Sequence, residues 1–404
     1  MQTAPGTTLE KLIRDELPSL VELRHDLHAH PELMYQERRT SQVVVRELEA
    51  IGLEIKSGLA GGTGVLAHLP STRREQGPSV ALRADMDALP ITENTGKAYA
   101  STHPGVMHAC GHDGHTAMLV GAARVLAALE DRPHPVTFIF QPAEEGGAGA
   151  ERMCDDGALR GAGAGGLGTP VARVFGQHGW PDYELGTVGT RPGPLLAATD
   201  EFDAVIQGEQ AHAAYPHQGA DPIVAAAAIV TALQTVASRN VGPLDACVVT
   251  VGQISAGTAH NVIPACASLG GTIRTLTPET RELAVRRVQT IIEQVARAHG
   301  CTSQTTHREG YPVTYNDEGE VERFFRVADA ALGRDRVVRV EHPTMGGEDF
   351  SYYGRHVPAC FAVLGVCPPG SDHWPRLHQP EYDFNDDAIP LGVEMLCRIA
   401  VSEG

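Results

Sequence analysis

The feature that most constrains the fold of this chain is the order of its predicted strands and helices. Short apolar runs such as "SVALRAD", "PVTFIFQP" and "VARVFGQH" are rich in β-branched or aromatic residues and predict buried strands. The run "TAMLVGAARVLAALE" consists of strong helix formers and predicts a helix. Strands that alternate with helices favour an α/β domain, in which helices flank a central mixed sheet.

A different order occupies residues 188–310. The predicted elements there run strand, helix, strand, strand, helix, strand, which is the β-α-β-β-α-β order of a ferredoxin-like unit. Beyond this segment the α/β pattern resumes, with a helix over 318–332, the strand "CFAVLGV" and a closing helix at 387–402. We therefore predict one domain formed by 1–187 and 311–404, interrupted by a compact inserted domain at 188–310.

The charge balance and the cysteine pattern narrow the class of protein. Asp and Glu number 50 against 32 Lys and Arg, and the net charge of −18 argues against nucleic acid or anionic membrane as the main partner. Eight cysteines are scattered without a C-x-x-C pair, which is typical of a reduced intracellular protein. No secretory signal and no apolar run of about 18 residues is visible, so we expect a cytoplasmic protein.

Side chains with metal-binding chemistry lie where predicted strands end. The carboxyl ends of the strands in an open α/β sheet are the usual place for ligands. The motif "MHACGHDGHTAML" adds a thiol and an imidazole in the turn before a helix. The candidate residues are Asp85 and Asp87 in "RADMDALP", Cys110 and His112, Glu144 and Glu145 in "QPAEEGGAGA", His178 in "FGQHGWP" and His378 in "RLHQPEYDFND".

These candidates together supply nitrogen, oxygen and sulfur donors, which Zn²⁺-like metals take. A carboxylate beside a ligand carboxylate suits a general base, so Glu144 and Glu145 could divide these roles. Neighbouring side chains on extended backbone point in opposite directions, and a turn at "GGAG" is needed for both to reach one centre.

Other interpretations of the same residues remain open at this point. A single histidine is more often a surface or hydrogen-bonded residue than a ligand, and a Glu-Glu pair is usually solvated. A structural zinc site has four ligands and no additional base. The five candidate donors and Glu144 are more than such a site needs, which disfavours this interpretation. A hydrolase with Cys110 as the nucleophile is possible on residue types alone, but leaves Glu145, His178 and His378 unexplained.

Taken in order along nearly the whole chain, these motifs resemble a family of metallopeptidases, the metal-dependent amidohydrolases and aminoacylases. That family includes hippurate hydrolase, glutamate carboxypeptidase and plant auxin–amino-acid-conjugate hydrolases, and the hippurate and auxin-conjugate branch is the most similar. The further motifs that support the resemblance are "DLHAHPEL", "AHAAYPHQGADPI", "TAHNVIP", "GTIRT" and "MGGEDFSYY".

The resemblance implies a zinc-peptidase-like catalytic domain that holds two divalent metal ions, with zinc, manganese, cobalt and nickel as candidates. Cys110 would bridge the ions in place of an aspartate found in other branches, and Glu144 would be the general base. Asp87 would orient a ligand, while the role of Asp85 stays open because other branches have a metal-binding histidine at that position. The remaining ligands would be His112, Glu145, His178 and His378.

The resemblance also assigns roles to the inserted domain as a lid and dimerisation domain. His212 would stabilise the developing oxyanion, while Asn261 and Arg274 would hold the carboxylate of the substrate. In the family these groups often act on the active site of the other subunit, which implies a homodimer or a dimer-based oligomer.

The expected function is hydrolysis of an N-acyl-L-amino acid to a carboxylic acid and a free amino acid. Hippurate-like, N-acetyl and auxin conjugates are all candidate substrates. A dipeptidase or carboxypeptidase of the same family is the main alternative, because only pocket contacts distinguish the substrates. A non-catalytic metal-binding protein is a further alternative, which the presence of Glu144 and all the ligands disfavours.

Overall fold

The computed structural model describes residues 8–371 and 374–403, which divide into two compact units. Unit 1 comprises the chain up to Leu195, the segment Tyr315–His342 and the chain from Asp349 onward. Unit 2 comprises Leu196–Thr314 and Pro343–Glu348. Each unit has its own hydrophobic core.

The elements alternate along the chain as the sequence pattern predicts. The strands are β1 (Glu54–Leu59), β2 (Gly64–Leu69), β3 (Ser79–Asp85), β4 (Val136–Gln141), β5 (Val171–Glu184), β6 (Val188–Thr190), β7 (Gly193–Leu196), β8 (Ala198–Gln207), β9 (Ala211–His212), β10 (Cys247–Ala256), β11 (Val262–Ile263), β12 (Cys266–Thr275), β13 (Thr302–Glu309), β14 (Thr314–Asn316), β15 (Val337–Arg339) and β16 (Ala359–Cys367). The helices are α1 (Leu9–Ala29), α2 (Arg38–Ala50), α3 (His112–Ala128), α4 (Gly149–Asp155), α5 (Pro222–Leu233), α6 (Pro278–Ala298), α7 (Glu318–Leu332) and α8 (Ile389–Ala400).

Unit 1 is built on an eight-stranded mixed sheet in the order β1-β2-β4-β3-β5-β16-β6-β15. The central strands β4, β3, β5 and β16 run parallel to one another, while β1 and β2 extend the sheet in antiparallel fashion. Strands β3 and β4 are buried along their whole length, as expected for strands covered on both faces. The predicted mixed α/β class is therefore confirmed.

Helix α3 forms the centre of the core of unit 1. It is buried along nearly its whole length, and it packs against both α1 and α8. Gly121 allows the close approach, because a Cβ there would lie 2.6 Å from Leu20 Cδ1 and 2.9 Å from Val393 Cγ2. The start of α3 is consequently held in a fixed position, which matters because candidate ligands lie there.

Unit 2 contains a four-stranded antiparallel sheet in the order β10-β12-β8-β13. With α5 and α6 the chain order is β-α-β-β-α-β, as expected from the sequence. Both helices begin with proline after a capping residue, Asp221 before α5 and Thr277 before α6. Their apolar faces and the sheet enclose a core that includes Phe202, Ile229 and Ile292.

Several element boundaries differ from the sequence predictions. Strand β5 continues to Glu184, so His178 lies within a strand rather than at its end. Pairing with β3 stops at Gly176, whereas pairing with β16 continues past His178. Helix α3 begins at His112 rather than after the motif, and α5 ends at Leu233 before a π-helical turn at Val236–Asn240.

The start of the second unit also differs from the predicted residue 188. Strand β6 (Val188–Thr190) pairs with β15 and β16 and thus belongs to the sheet of unit 1. Its three residues are too short to show a strand pattern in the sequence. Within the described ranges, no helix is both long enough and apolar enough to cross a membrane.

Candidate metal centre

The turn before α3 brings Cys110 and His112 to the same place. Gly111 between them has a φ of 86°, in the left-handed region that favours glycine. A Cβ at this position would lie 2.9 Å from Phe384 Cδ2 and 3.0 Å from the Tyr382 hydroxyl oxygen. Glycine is therefore required here by both conformation and space.

Cys110, His112 and His178 form a buried donor cluster, with ligand atoms within 4.8 Å of one another. Cys110 Sγ lies 3.3 Å from His178 Nε2. His178 Nδ1 donates to the carbonyl oxygen of Gly179 at 2.8 Å, and His112 Nδ1 donates to that of Asp87 at 2.9 Å. Because Nδ1 donates a hydrogen bond in both rings, Nε2 is the nitrogen of each ring that is left to coordinate a metal ion.

A second donor cluster shares Cys110 and adds Glu145 and His378, again within 4.8 Å. His378 Nε2 lies 3.2 Å from Glu145 Oε1. His378 has a φ of 67°, and its backbone N–H donates to the carbonyl oxygen of Ala109 at 2.8 Å. A non-glycine residue in this region is uncommon and marks a locally constrained backbone.

Glu144 and Glu145 follow β4 on a turn rather than on extended backbone. Ala143 has a φ of 56° and Gly146 a φ of 86°, so the turn starts before the "GGAG" segment that the sequence suggested. The Glu145 backbone N–H donates to Asp87 Oδ2 at 2.9 Å, and Glu144 Oε1 accepts the backbone N–H of Asp349 at 3.3 Å. Glu144 is buried, and His112, Glu144 and Glu145 form another donor cluster.

Asp87 lies behind two of the candidate ligands. Its carbonyl oxygen and its Oδ1 both contact His112 Nδ1, at 2.9 and 3.2 Å, while its Oδ2 accepts the Glu145 N–H. One aspartate thus fixes both an imidazole and a carboxylate.

Asp85 and His115 form a buried pair next to His112, whose Nε2 lies 3.8 Å from Asp85 Oδ2. His115 Nδ1 lies 2.7 Å from Asp85 Oδ1, and His115 Nε2 accepts the backbone N–H of Gly179 at 2.8 Å. Because Nε2 accepts a hydrogen bond, Nδ1 must donate to Asp85. Both ring nitrogens are therefore engaged, and His115 is tied to the residue that follows His178.

The electrostatics of the centre favour a cation. Burial opposes charge on His112, yet Asp85 and Asp87 raise its pKa to about 10. Burial, together with Glu145 and Glu144, raises the pKa of the Cys110 thiol, and burial beside His115 lowers that of His178. The potential that holds a proton on His112 would equally attract a divalent metal ion, which would displace that proton.

The donor set fits such a metal. His112 Nε2 is buried and has no hydrogen-bond partner among the described residues. A buried polar atom without a partner is costly, and a metal ion would satisfy it. A thiolate with imidazoles and a carboxylate suits a soft or borderline metal better than Mg²⁺ or Ca²⁺.

A buried ion-pair network supports the start of α3, and sequence reasoning missed it. Asp113 Oδ2 accepts from Arg24 Nε at 2.7 Å and lies 2.8 Å from His28 Nδ1. Arg24 also pairs with Asp383 and Asp386. Although burial opposes it, Asp113 raises the pKa of His28 to about 9. The i and i+4 spacing of Arg24 and His28, which places them on one face of α1, was the only sign of the network in the sequence. Their acidic partners could not be predicted, because these lie far away along the chain.

The candidate lid residues lie in unit 2. His212 is exposed on β9, pairs with Val262 of β11 and accepts the Ala214 N–H through Nδ1 at 3.0 Å. The carbonyl oxygen of Asn261 accepts the Ala213 N–H at 3.0 Å, so His212 and Asn261 lie on the same small two-stranded structure. Arg274 lies on β12, where partial burial lowers its pKa.

Comparisons with known proteins show which family this chain is similar to. The model of the peptidase family M20/M25/M40 matches residues 81–402. The chain is 41% identical to an N-acetyl-L-cysteine deacetylase of Bacillus subtilis (strain 168), covering 95% of this chain and 86% of that protein. It is 39% identical to an IAA-amino acid hydrolase of Arabidopsis thaliana, covering 95% and 84% of the two chains. A solved dinuclear metal binding peptidase from Bacillus subtilis superimposes with a TM-score of 0.81 at 34% identity, covering 96% of this chain and 98% of that one.

Proposed function

The chain belongs to the peptidase family M20/M25/M40, and we propose on this basis that it hydrolyses the amide bond of N-acyl-L-amino acids at two divalent metal ions. The observation that carries the proposal is the pair of donor clusters that share Cys110, with the carboxylate of Glu144 beside them. Because Cys110 belongs to both clusters, its thiolate would help to hold both ions.

One ion would be held by Cys110, His112 and His178, and the other by Cys110, Glu145 and His378. Glu144 is left over from both triads, which is the property expected of a base rather than a ligand. Zinc, manganese, cobalt and nickel all accept this mixture of sulfur, nitrogen and oxygen donors.

Divalent ions held there would polarise an amide carbonyl and lower the pKa of a bound water to about 7. Glu144 would accept the proton of the attacking water and then deliver it to the scissile nitrogen, which without that proton would have to leave as an amide anion. Asp87 holds His112 and Glu145 in place through its carbonyl and both carboxylate oxygens.

Unit 2 would supply the groups that recognise the substrate. His212 would donate a hydrogen bond to the developing oxyanion, while Asn261 and Arg274 would hold the carboxylate of the amino acid. The exposure of His212 is consistent with a role toward a ligand.

The named relatives point to the substrate class. One is a deacetylase of N-acetyl-L-cysteine and another is a hydrolase of IAA-amino acid conjugates. Both names describe an acyl group joined to the nitrogen of an amino acid, which is the bond proposed here. The acyl group is the part that differs between them, so acetyl, benzoyl and indoleacetyl groups should all be tested.

We also propose a cytoplasmic homodimer formed through unit 2. Strand β10 lies at the edge of the four-stranded sheet, and its Val248 and Ile254 are 38% and 59% exposed. An exposed apolar edge strand is a template for pairing with another chain. All eight cysteines are unpaired, which suits a reducing compartment.

The proposed activity is tested by measuring amino-acid release from N-acetyl-, N-benzoyl- and indoleacetyl-amino acids and from plain dipeptides. The protein is loaded with Zn²⁺, Mn²⁺, Co²⁺ or Ni²⁺ and compared with chelated protein. Metal-dependent release from the acyl-amino acids supports the proposal and identifies the acyl preference.

Other outcomes would contradict the proposal in distinct ways. Release from dipeptides alone would indicate a dipeptidase of the same family. Release that survives chelation would favour a cysteine nucleophile at Cys110. Metal binding without any turnover would favour a non-catalytic metal-binding protein.

A further inference from the structure

The turn that presents Glu144 and Glu145 is held at both ends by one short segment of the chain. That segment is Tyr35–Glu37, in the loop between α1 and α2, and we call it the 35–37 clamp. It lies more than a hundred residues before the turn in sequence and has no assigned role in the reaction. We propose that Tyr35 and Glu37 are positioning residues that set the geometry of Glu144 and Glu145.

The first contact is made by the Glu37 carboxylate, which is fully buried. Its Oε1 accepts the backbone N–H of Ala143 at 2.9 Å and the backbone N–H of Tyr35 at 2.9 Å. Its Oε2 accepts the hydroxyl of Thr63 at 2.8 Å. A single carboxylate oxygen therefore ties the clamp to the residue immediately before Glu144.

Both residues that donate to this oxygen have unusual backbones. Tyr35 has a φ of 61° and Ala143 a φ of 56°, in the left-handed region that non-glycine residues rarely adopt. Such a conformation is unfavourable for a residue that carries a Cβ, and it persists only where the surroundings enforce it. The Glu37 carboxylate binds the backbone N–H of both residues and can therefore stabilise the left-handed conformation at both positions.

The second contact is made by the Tyr35 side chain at the other end of the turn. Its hydroxyl donates to the carbonyl oxygen of Gly147 at 2.5 Å, and the guanidinium of Arg152 lies 4.2 Å from its ring centroid. A Cβ at Gly147 would lie 2.7 Å from Ala143 Cβ and 3.0 Å from Tyr35 Cε2. The turn is thus closed on itself and packed against the tyrosine ring.

The reason for such a clamp is the requirement placed on two adjacent glutamates. On extended backbone the two side chains would point in opposite directions. The left-handed Ala143 turns the chain so that Glu144 and Glu145 both lie within the donor cluster with His112. Releasing Ala143 would let the turn relax toward extended backbone and misplace both carboxylates.

The test compares Glu37→Ala, Glu37→Gln and Tyr35→Phe with a matched control, Glu32→Ala. Glu32 is in the same loop, and its carboxylate accepts the backbone N–H groups of Arg39 and Thr40 at the start of α2. The control therefore removes a carboxylate of the same kind that does not contact the turn. Each variant is assayed below its melting temperature for kcat, KM, Co²⁺ or Zn²⁺ affinity by chelator competition, and amide hydrogen exchange.

We expect Glu37→Ala to lower kcat and metal affinity by about 10- to 100-fold, as for other residues that orient ligands, with faster exchange over 143–147. Tyr35→Phe should show a several-fold loss with faster exchange at the same residues. Glu37→Gln should stay close to the wild type, because its amide oxygen can accept both N–H groups while its NH₂ donates to Thr63. Glu32→Ala should leave kcat and metal affinity unchanged.

The inference is overturned if Glu37→Ala and Tyr35→Phe lower only the melting temperature, or if Glu32→Ala lowers metal affinity equally. Should Glu37→Ala fail to fold, Tyr35→Phe alone decides the matter by the same criteria. The inference rests on the proposed function, but metal affinity and amide exchange need no substrate. A wild type without turnover would therefore contradict the proposed function. Metal affinity and amide exchange would still test the role of the 35–37 clamp.

Discussion

At the scale of single residues, three of the candidate ligands are each held through an atom that a metal ion would not use. His112 and His178 use Nδ1 to bind backbone carbonyls, and Glu145 uses its backbone N–H to bind Asp87. The sequence predicted the donors because their chemistry is visible in the side chains. It could not predict these tethers, because most of them end on backbone atoms.

Glu37 offers a residue-scale prediction about pH. Burial raises its pKa to about 7, and Asp87 adds to the effect, whereas an unfolded glutamate titrates near 4.5. Between these two pH values Glu37 is still protonated in the folded protein but already ionised in the unfolded chain. The free energy of unfolding of the wild type therefore falls as the pH rises through this range. The Glu37→Gln variant does not lose stability in this way, because glutamine cannot ionise.

We therefore expect Glu37→Gln to gain stability relative to the wild type as the pH rises from about 5 to about 7. The gain should be on the order of 1–3 kcal/mol and should stay constant at higher pH. Thermal unfolding of the wild type and the variant at pH 5, 6, 7 and 8 measures this gain in stability. Both proteins are treated with a chelator beforehand, so that loss of metal does not contribute to the difference. A stability difference that does not change with pH would contradict the prediction.

At the scale of elements, the start of α3 is the point on which the centre depends. Periodicity predicted this helix, but not that His112 would be its first residue or that Gly111 would adopt a left-handed conformation before it. Likewise the pattern of β5 ended at His178, because the following residues "GWPDYE" contain glycine, proline and acidic residues. Their strand conformation comes from pairing with β16, which local sequence does not reveal.

The network between α1 and α3 supplies a prediction at this scale. Arg24→Gln would leave Asp113 buried without its main cation, and breaking a buried ion pair typically costs about 3–5 kcal/mol. Lys11→Gln on the same helix removes only an exposed pair with Asp15 and should change stability little. Denaturant unfolding of both variants makes the comparison. Equal effects would show that the Arg24 network does not anchor α3.

At the scale of the whole molecule, the order of elements was predicted more completely than the boundaries between the units. The β-α-β-β-α-β order is evident in the sequence because each element is long and periodic. The extent of unit 2 is not evident in the sequence, because the short segment Pro343–Glu348 belongs to this unit although it comes from a distant part of the chain. Such contacts depend on tertiary packing rather than on local pattern.

The proposed dimer gives a prediction for the whole molecule. The wild type should have about twice the chain mass of 42.9 kDa by light scattering. Ile254→Lys with Val248→Lys should yield a monomer, because charges on an edge strand oppose pairing. Leu244→Lys, at a fully exposed position outside the strand, should remain dimeric.

If lid residues serve the active site of the partner subunit, the monomeric variant should bind metal normally but lose turnover. A wild type that is monomeric and fully active would contradict both the dimer and this division of roles.

The central claim is that Glu144 is the base at a centre of two metal ions held by other residues. The most direct measurement compares wild type and Glu144→Gln, with metal content and hydrolysis of one N-acyl-amino acid determined on the same samples. We predict two ions per chain in both proteins and a loss of turnover of about 100- to 10,000-fold in the variant. Undiminished turnover in Glu144→Gln, or turnover by metal-free wild type, would contradict the claim.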